Sequence, residues 1–174
     1  MKAIFRKFSH ILFRTRPFVN KHLKKFAKNC NNKKILELGS GKSEKGKHSY
    51  SSKKFFNLTN DFLQTDMNPD FGHKVLDATK MNYKNEFDVI LCLNVLEHVY
   101  EFQKAIDNIH AALKPQGTLL FFVPGYYPLH DEPHDYWRFT EHSLKKIFQN
   151  FSNIKISHSG VRQYPFGYFI EANK

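Results

Sequence analysis

A chain of 174 residues, 41% hydrophobic and 16% aromatic, is long enough to bury one core and short for two, so a single globular domain is expected. Eleven of its 27 basic residues precede the first acid, Glu37. The other 16 match the 16 acids, so the whole excess of +11 belongs to an N-terminal arm. No apolar run approaches a membrane span. Cys30 in a polar turn and Cys92 inside an apolar run give neither a disulfide framework nor a zinc spacing, which excludes a stapled secreted scaffold and makes a reducing cytoplasm the default location.

Within the arm, Ile4, Phe8, Ile11 and Leu12 fall at helical spacing, Pro17 interrupts, and Phe18, Val19, Leu23 and Phe26 resume. The pattern predicts two short amphipathic helices in residues 1–33, ahead of a domain over 34–174. Packing over that domain is the plain expectation. Contact of residues 1–28 with an anionic membrane, at its inner face, is the alternative; RNA contact or a targeting role ranks below both.

From residue 34 the periodicity alternates between strand and helix, which predicts an α/β fold with a mainly parallel sheet. Strands are expected near 34–38, 61–65, 73–77, 87–94, 118–123, 154–159 and 168–173. FDVILCLNVLEHV (Phe87 to Val99) reads as a strand opening directly into a helix, with Val99, Phe102, Ile106, Ile109 and Leu113 on one face. Pro115 and Gly117 in LKPQG end that helix. A second helix is expected from about Thr140, burying Leu144, Ile147, Phe148 and Phe151. Between Ser43 and Leu63 the chain is polar at first and shows no 3.6-residue stripe, so any helix there is short or absent. Lys45, Lys47, Lys53 and Lys54 make this stretch a basic loop.

ILELGSGKS (Ile35 to Ser43) is an apolar run ending at an acid, followed at once by two glycines. Without Cβ atoms at 39 and 41 the backbone can lie close against a ligand. A dinucleotide fingerprint begun at Gly39 needs a glycine at 44, where this chain has Glu44, a carboxylate beside the expected pyrophosphate position. Taken with Asp66 and Asp77 at the ends of the next two strand-like runs, the series resembles the class I S-adenosylmethionine (SAM)-dependent methyltransferases over roughly residues 30–174. The resemblance implies a Rossmann-like, seven-stranded, mainly parallel sheet in the order 3-2-1-4-5-7-6 with helices on both faces, and SAM as cofactor.

It also implies a cofactor site. Glu37, Gly39, Ser40 and Gly41 would meet the methionine end, and Asp66, 27 residues after Gly39, the ribose hydroxyls. Met67 would lie on the adenine face, Asp77 and Ala78 at its amino edge, and Asn94 near the sulfonium. A hydroxyl acceptor has to lose a proton, and His98 or His134 is the candidate base. GYYPLHDEPHDYWRFT (Gly125 to Thr140) follows the fifth strand, and its PHDYWRFT portion resembles a segment of bacterial type 11 methyltransferases, many of them associated with cell-envelope polysaccharide. His130, Tyr136, Trp137 and Arg138 are its candidate acceptor-binding residues. Packing of Trp137 and Phe139, with Arg138 paired to Asp135, is the competing use of the segment. No metal site is expected, since His130 and His134 lack a third ligand fixed by spacing and Pro133 argues against a helix presenting both imidazoles. The function expected is O-methylation of a small molecule, sugar or lipid-linked glycan. An RNA methyltransferase would show a catalytic tetrad where this chain has LNVLEH, and a noncatalytic SAM-binding or membrane adaptor would lack an enclosed acceptor pocket.

Overall fold

The apolar runs pair into one seven-stranded sheet in a computed structural model that describes residues 15–43 and 50–174. In chain order the strands are β1 (Lys34–Leu38), β2 (Asp61–Asp66), β3 (Lys74–Val75), β4 (Phe87–Leu93), β5 (Leu113–Pro124), β6 (Ser152–Val161) and β7 (Tyr164–Asn173). Their order is β3-β2-β1-β4-β5-β7-β6, with β7 antiparallel to both neighbours and the other pairs parallel. The helices are α1 (Arg16–Ala27), α2 (Phe102–Ala112) and α3 (Glu141–Ile147).

Strand alternation divides the core. Ile35, Val89, Leu91, Leu120, Phe122 and Phe169 face α1, which contributes Val19, Leu23 and Ala27. Leu36, Ile90, Cys92, Leu119, Phe121 and Ile170 face the other way, onto Ile106 and Ile109 of α2 and Leu144 of α3. Burial on both faces explains why the central strands read as continuous apolar runs. Phe87, Phe121, Phe122, Phe148 and Phe169 are fully buried, each worth about 1.5–3 kcal/mol of transfer free energy.

The apolar side of α1 is therefore taken by the sheet. Lys21, Lys24, Lys25 and Lys28 stay exposed, so this part of the arm can meet an anionic surface only through charge, not by inserting a hydrophobic face. The first amphipathic stretch of the arm, together with Glu44, Lys45 and Lys47, lies outside the described residues. In the basic loop, Lys53 and Lys54 start a single 3-10 turn, Lys53–Phe55.

Two expected elements differ. The strand expected over 73–77 shrinks to Lys74–Val75, because only Thr65 and Asp66 offer it a ladder. β4 does not run directly into a helix: Leu96–His98 form a separate 3-10 turn, Val99 is extended, and α2 begins at Phe102. His98 thus stands half-buried on a short turn, not on the first turn of α2. Before Thr118, β5 bulges: Leu113 pairs with Phe87 and Thr118 with Val89, while Gln116 takes a φ of 63° between them. The second helix starts where expected, with Thr140 and Ser143 closing a reciprocal cap.

At the amino edge of the sheet, Asp88 ties two segments together. Its Oδ2 accepts from the Lys34 N–H at 2.9 Å and from Lys114 Nζ at 2.8 Å. Burial alone raises the Asp88 carboxyl, but the Lys114 ammonium and the Lys34 N–H outweigh it and hold the group below the usual carboxylate range. A carboxylate depressed on folding adds stability above its unfolded value of about 3.9, and that stability is lost as pH falls through the lower folded value. Asp88→Asn should therefore be less stable by roughly 0.5–1 kcal/mol at neutral pH. In urea unfolding followed against pH, the gap should narrow steadily below about pH 4.

Candidate functional site

Strand order reverses between β1 and β4, which pair in parallel from Ile35↔Val89 to Leu38↔Cys92. Their following turns leave the carboxyl edge side by side, the position where open α/β sheets bind ligands. Gly39 takes a φ of 69°, and a Cβ there would come within 2.5 Å of Val95 Cγ2. Only glycine lets the two turns share this space. Gly41 takes a φ of 71°, and Asn94, at the end of β4, one of 54°, an unusual conformation that asparagine tolerates.

The carboxylates of the glycine turn are already engaged with the backbone. Buried Glu37 accepts from Ser52 N at 2.6 Å and from the Ser40 and Ser51 hydroxyls at 2.8 and 2.5 Å. It therefore holds the turn in shape instead of presenting a bare charge. Asp66 accepts from Gly41 N and Asn68 N, each at 2.9 Å, which brings the end of β2 against the second glycine. Met67 is 63% exposed beside it, an apolar surface at a polar edge. Asp77 accepts from both the N–H and the hydroxyl of Thr79, and the carbonyl of buried Ala78 accepts from Asn108. Asn94 is exposed at the same edge.

The segment after β5 is stitched onto the turn after β4. The Glu97 carbonyl accepts from Tyr136 N at 2.9 Å and Trp137 N at 3.2 Å, and the Val99 carbonyl from Trp137 Nε1 at 3.1 Å. His98 Nδ1 lies 2.8 Å from the His134 carbonyl. Trp137 meets Phe102 edge-on at 5.2 Å, and Phe139 meets the same ring at 5.4 Å, so the indole anchors the segment and its N–H is committed. His98 and His134 are thereby brought together from positions 36 residues apart. His134 is exposed, its Nδ1 2.8 Å from the Tyr136 hydroxyl.

Arg138 fixes the segment from inside. Its guanidinium donates to both oxygens of Asp135 at 2.6 and 2.7 Å, and to the carbonyls of Tyr127, Pro128 and Trp137. The Asp135 side chain is 1% exposed. Burial raises its carboxyl, but the Arg138 fork and the His130 N–H hold it down to about 2.

Sequence reasoning missed Glu97. Its side chain is fully buried, and burial pushes its carboxyl up to about 8, with its own nearby backbone N–H and then the Arg138 guanidinium opposing only in part. The signal was an acid directly after the apolar pair Val95 and Leu96 in LNVLEHV, immediately past a central strand. A cavity of about 550 Å3 lined by Lys25, Lys33, Asp88, Lys114 and Lys155 lies at the opposite, amino edge and takes no part in this arrangement.

Residues 10–154 match the sequence pattern of the family described as methyltransferase domain. Over 82 residues the chain is 34% identical to an uncharacterized protein of Methanocaldococcus jannaschii, covering 40% of this chain and 35% of that protein, so it spans only about a third of that relative's length. Among solved structures it resembles the CurJ carbon methyltransferase, with a TM-score of 0.68 at 15% identity, over 90% of this chain and 53% of that one. It also resembles Burkholderia thailandensis 1,6-didemethyltoxoflavin-N1-methyltransferase, solved with bound 1,6-didemethyltoxoflavin and S-adenosylhomocysteine. That match has a TM-score of 0.64 at 17% identity, over 99% of this chain and 86% of that one.

The ion pair makes a stability prediction. Arg138→Ala leaves the Asp135 carboxylate buried without its partner and frees three carbonyls, so it should cost roughly 2–3 kcal/mol. Arg138→Lys should recover little, because one ammonium cannot reproduce the five-donor fork. Urea unfolding measures the loss, and limited proteolysis should show new cuts between residues 125 and 140.

Proposed function

The chain belongs to the methyltransferase-domain family, and from that premise we propose that it transfers the methyl group of SAM to a hydroxyl of a small molecule, sugar or lipid-linked glycan. The single observation that carries the hydroxyl acceptor is the gathering of His98, His130 and His134 with Tyr136 at the carboxyl edge, against the end of β4. A neutral amine already carries the lone pair that attacks and has less need of such a concentration of proton acceptors, whereas a carbon acid would need a base as a hydroxyl does.

The residues present fit the cofactor. The Gly39–Ser43 turn offers the methionine end a close backbone approach at Gly41, its shape fixed by Glu37 and by the Ser40, Gly41 and Ser43 N–H groups, which donate to the Thr65 carbonyl, Asp66 and the Phe71 carbonyl. Asp66 stands at the end of β2 to receive the ribose hydroxyls, Met67 offers the adenine an apolar face, and Asp77 with Ala78 borders its amino edge. Asn94 ends the strand nearest the reacting centre. SAM supplies an activated methyl on a built-in leaving group, so the protein's main task is alignment.

His134 takes the acceptor's proton, its ring oriented by the Tyr136 hydroxyl. His98, held through Nδ1 by the His134 carbonyl, keeps that loop in place. Tyr136, Trp137 and His130 line the acceptor side, and the Arg138–Asp135 pair makes the wall rigid.

Asp66→Ala should weaken SAM binding in calorimetry by roughly 1.5–3 kcal/mol, the range for hydrogen bonds to a charged group. Affinity equal to the wild type removes Asp66 from the site, and comparable binding of NADH removes the cofactor assignment. His134→Ala should leave SAM affinity within about threefold while transfer of labelled methyl to the acceptor falls 10²-fold or more. Full transfer by folded His134→Ala would pass the role of base to His98. SAM binding without transfer to any hydroxyl compound in cell extract would favour the noncatalytic reading.

A further inference from the structure

A fully buried carboxylate faces two imidazoles across gaps too wide for hydrogen bonds. Glu97 Oε1 lies 3.9 Å from His98 Nε2 and 3.8 Å from His130 Nε2, and one ligand atom from each of the three residues lies within 4.8 Å of the others. Neither Glu97 oxygen has a hydrogen-bond partner among the described residues. A buried polar group left this way is costly, and cores rarely tolerate one without a compensating ligand.

The far nitrogens of the two rings indicate what belongs in the gap. His98 Nδ1 is held at 2.8 Å by the His134 carbonyl, which accepts and so places the ring proton on Nδ1. His130 Nδ1 is 3.2 Å from Asp135 Oδ2, at an angle short of a hydrogen bond but with the carboxylate in reach. With protons on the outer nitrogens, both Nε2 lone pairs turn toward Glu97. One ligand atom from each of the three residues then converges on the same gap. An imidazole whose second nitrogen meets a carboxylate or a backbone carbonyl is the usual setting of a metal-bound histidine. Asp135 in turn is fixed by Arg138, so the supporting shell is itself rigid.

We propose that Glu97, His98 and His130 bind one divalent transition-metal ion. Two imidazoles and one carboxylate favour a borderline ion over Mg²⁺ or Ca²⁺, and Zn²⁺ is the redox-inert member of that group. Its remaining positions would open toward the mouth between the β4 turn and the 125–140 segment, where they can hold an oxygen of the acceptor. This last consequence rests on the methyl-transfer reading; the metal site does not.

Calorimetric titration of the chelator-treated full chain with Zn²⁺ should show one tight equivalent, and Co²⁺ should give a visible ligand-field spectrum. Glu97→Gln and His130→Ala should each weaken Zn²⁺ binding 100-fold or more, and Asp135→Asn 10- to 100-fold through His130. His158→Ala, on β6 and away from the cluster, should bind as the wild type. Stoichiometric Zn²⁺ that survives both Glu97→Gln and His130→Ala, or no binding below millimolar Zn²⁺, overturns the site. Should Glu97→Gln fail to fold, His98→Ala replaces it with the same expected loss. SAM affinity measured on the same preparations separates the two readings: intact SAM binding without a metal site overturns only the metal, and the reverse overturns only the cofactor.

Discussion

Parallel pairing of β1 with β4 is the constraint on which the rest depends. It places two strands of opposite winding direction side by side, so the turns that follow them must leave the sheet at the same point. The contact between Gly39 and Val95 measures how tight this is: a single methyl group at 39 would meet a side-chain carbon at 2.5 Å. The glycine turn, Asp66, Asn94 and the Leu96–His98 turn are all brought to one edge by that pairing. Their chemistry follows from a backbone fact.

The second layer of organisation is electrostatic. Opposed carboxylates are treated in opposite ways within one small volume. Asp135 is buried but given a guanidinium and a backbone N–H in contact, and it stays charged; Glu97 is buried with neither oxygen hydrogen-bonded, and its carboxyl is driven upward. Two acids with divergent environments thus stand beside the imidazoles of His98 and His130. Arg138 links the two, since the same fork that neutralises Asp135 also gathers three loop carbonyls.

Aromatic packing supplies the rigidity that a sixteen-residue segment without regular structure would otherwise lack. Trp137, Phe102 and Phe139 meet edge to face, and the indole N–H closes on the Val99 carbonyl. Trp137, expected from the sequence to bind an acceptor, therefore fastens the segment to α2 and to the turn before it. Tyr100 and Tyr136 remain exposed around the mouth, edge-on at 5.5 Å.

The sequence by itself determined the central strands β1 and β4, because runs buried on both faces must be apolar throughout, and the start of α3, because the Thr140 cap acts locally. It also marked the glycine turn, since glycine lacks a Cβ and takes a φ near 70° without strain. The sheet order was legible only through family resemblance, as spacing does not encode which strands pair. Tertiary structure alone decided the environment of each charged group. Arg138 reaches Asp135 three residues away and was readable, whereas Glu97 meets His130 across 33 residues and His98 meets His134 across 36. Burial and partner distance are set by how distant segments dock, so the unpartnered carboxylate between two imidazoles had no local signature beyond an acid in an apolar run.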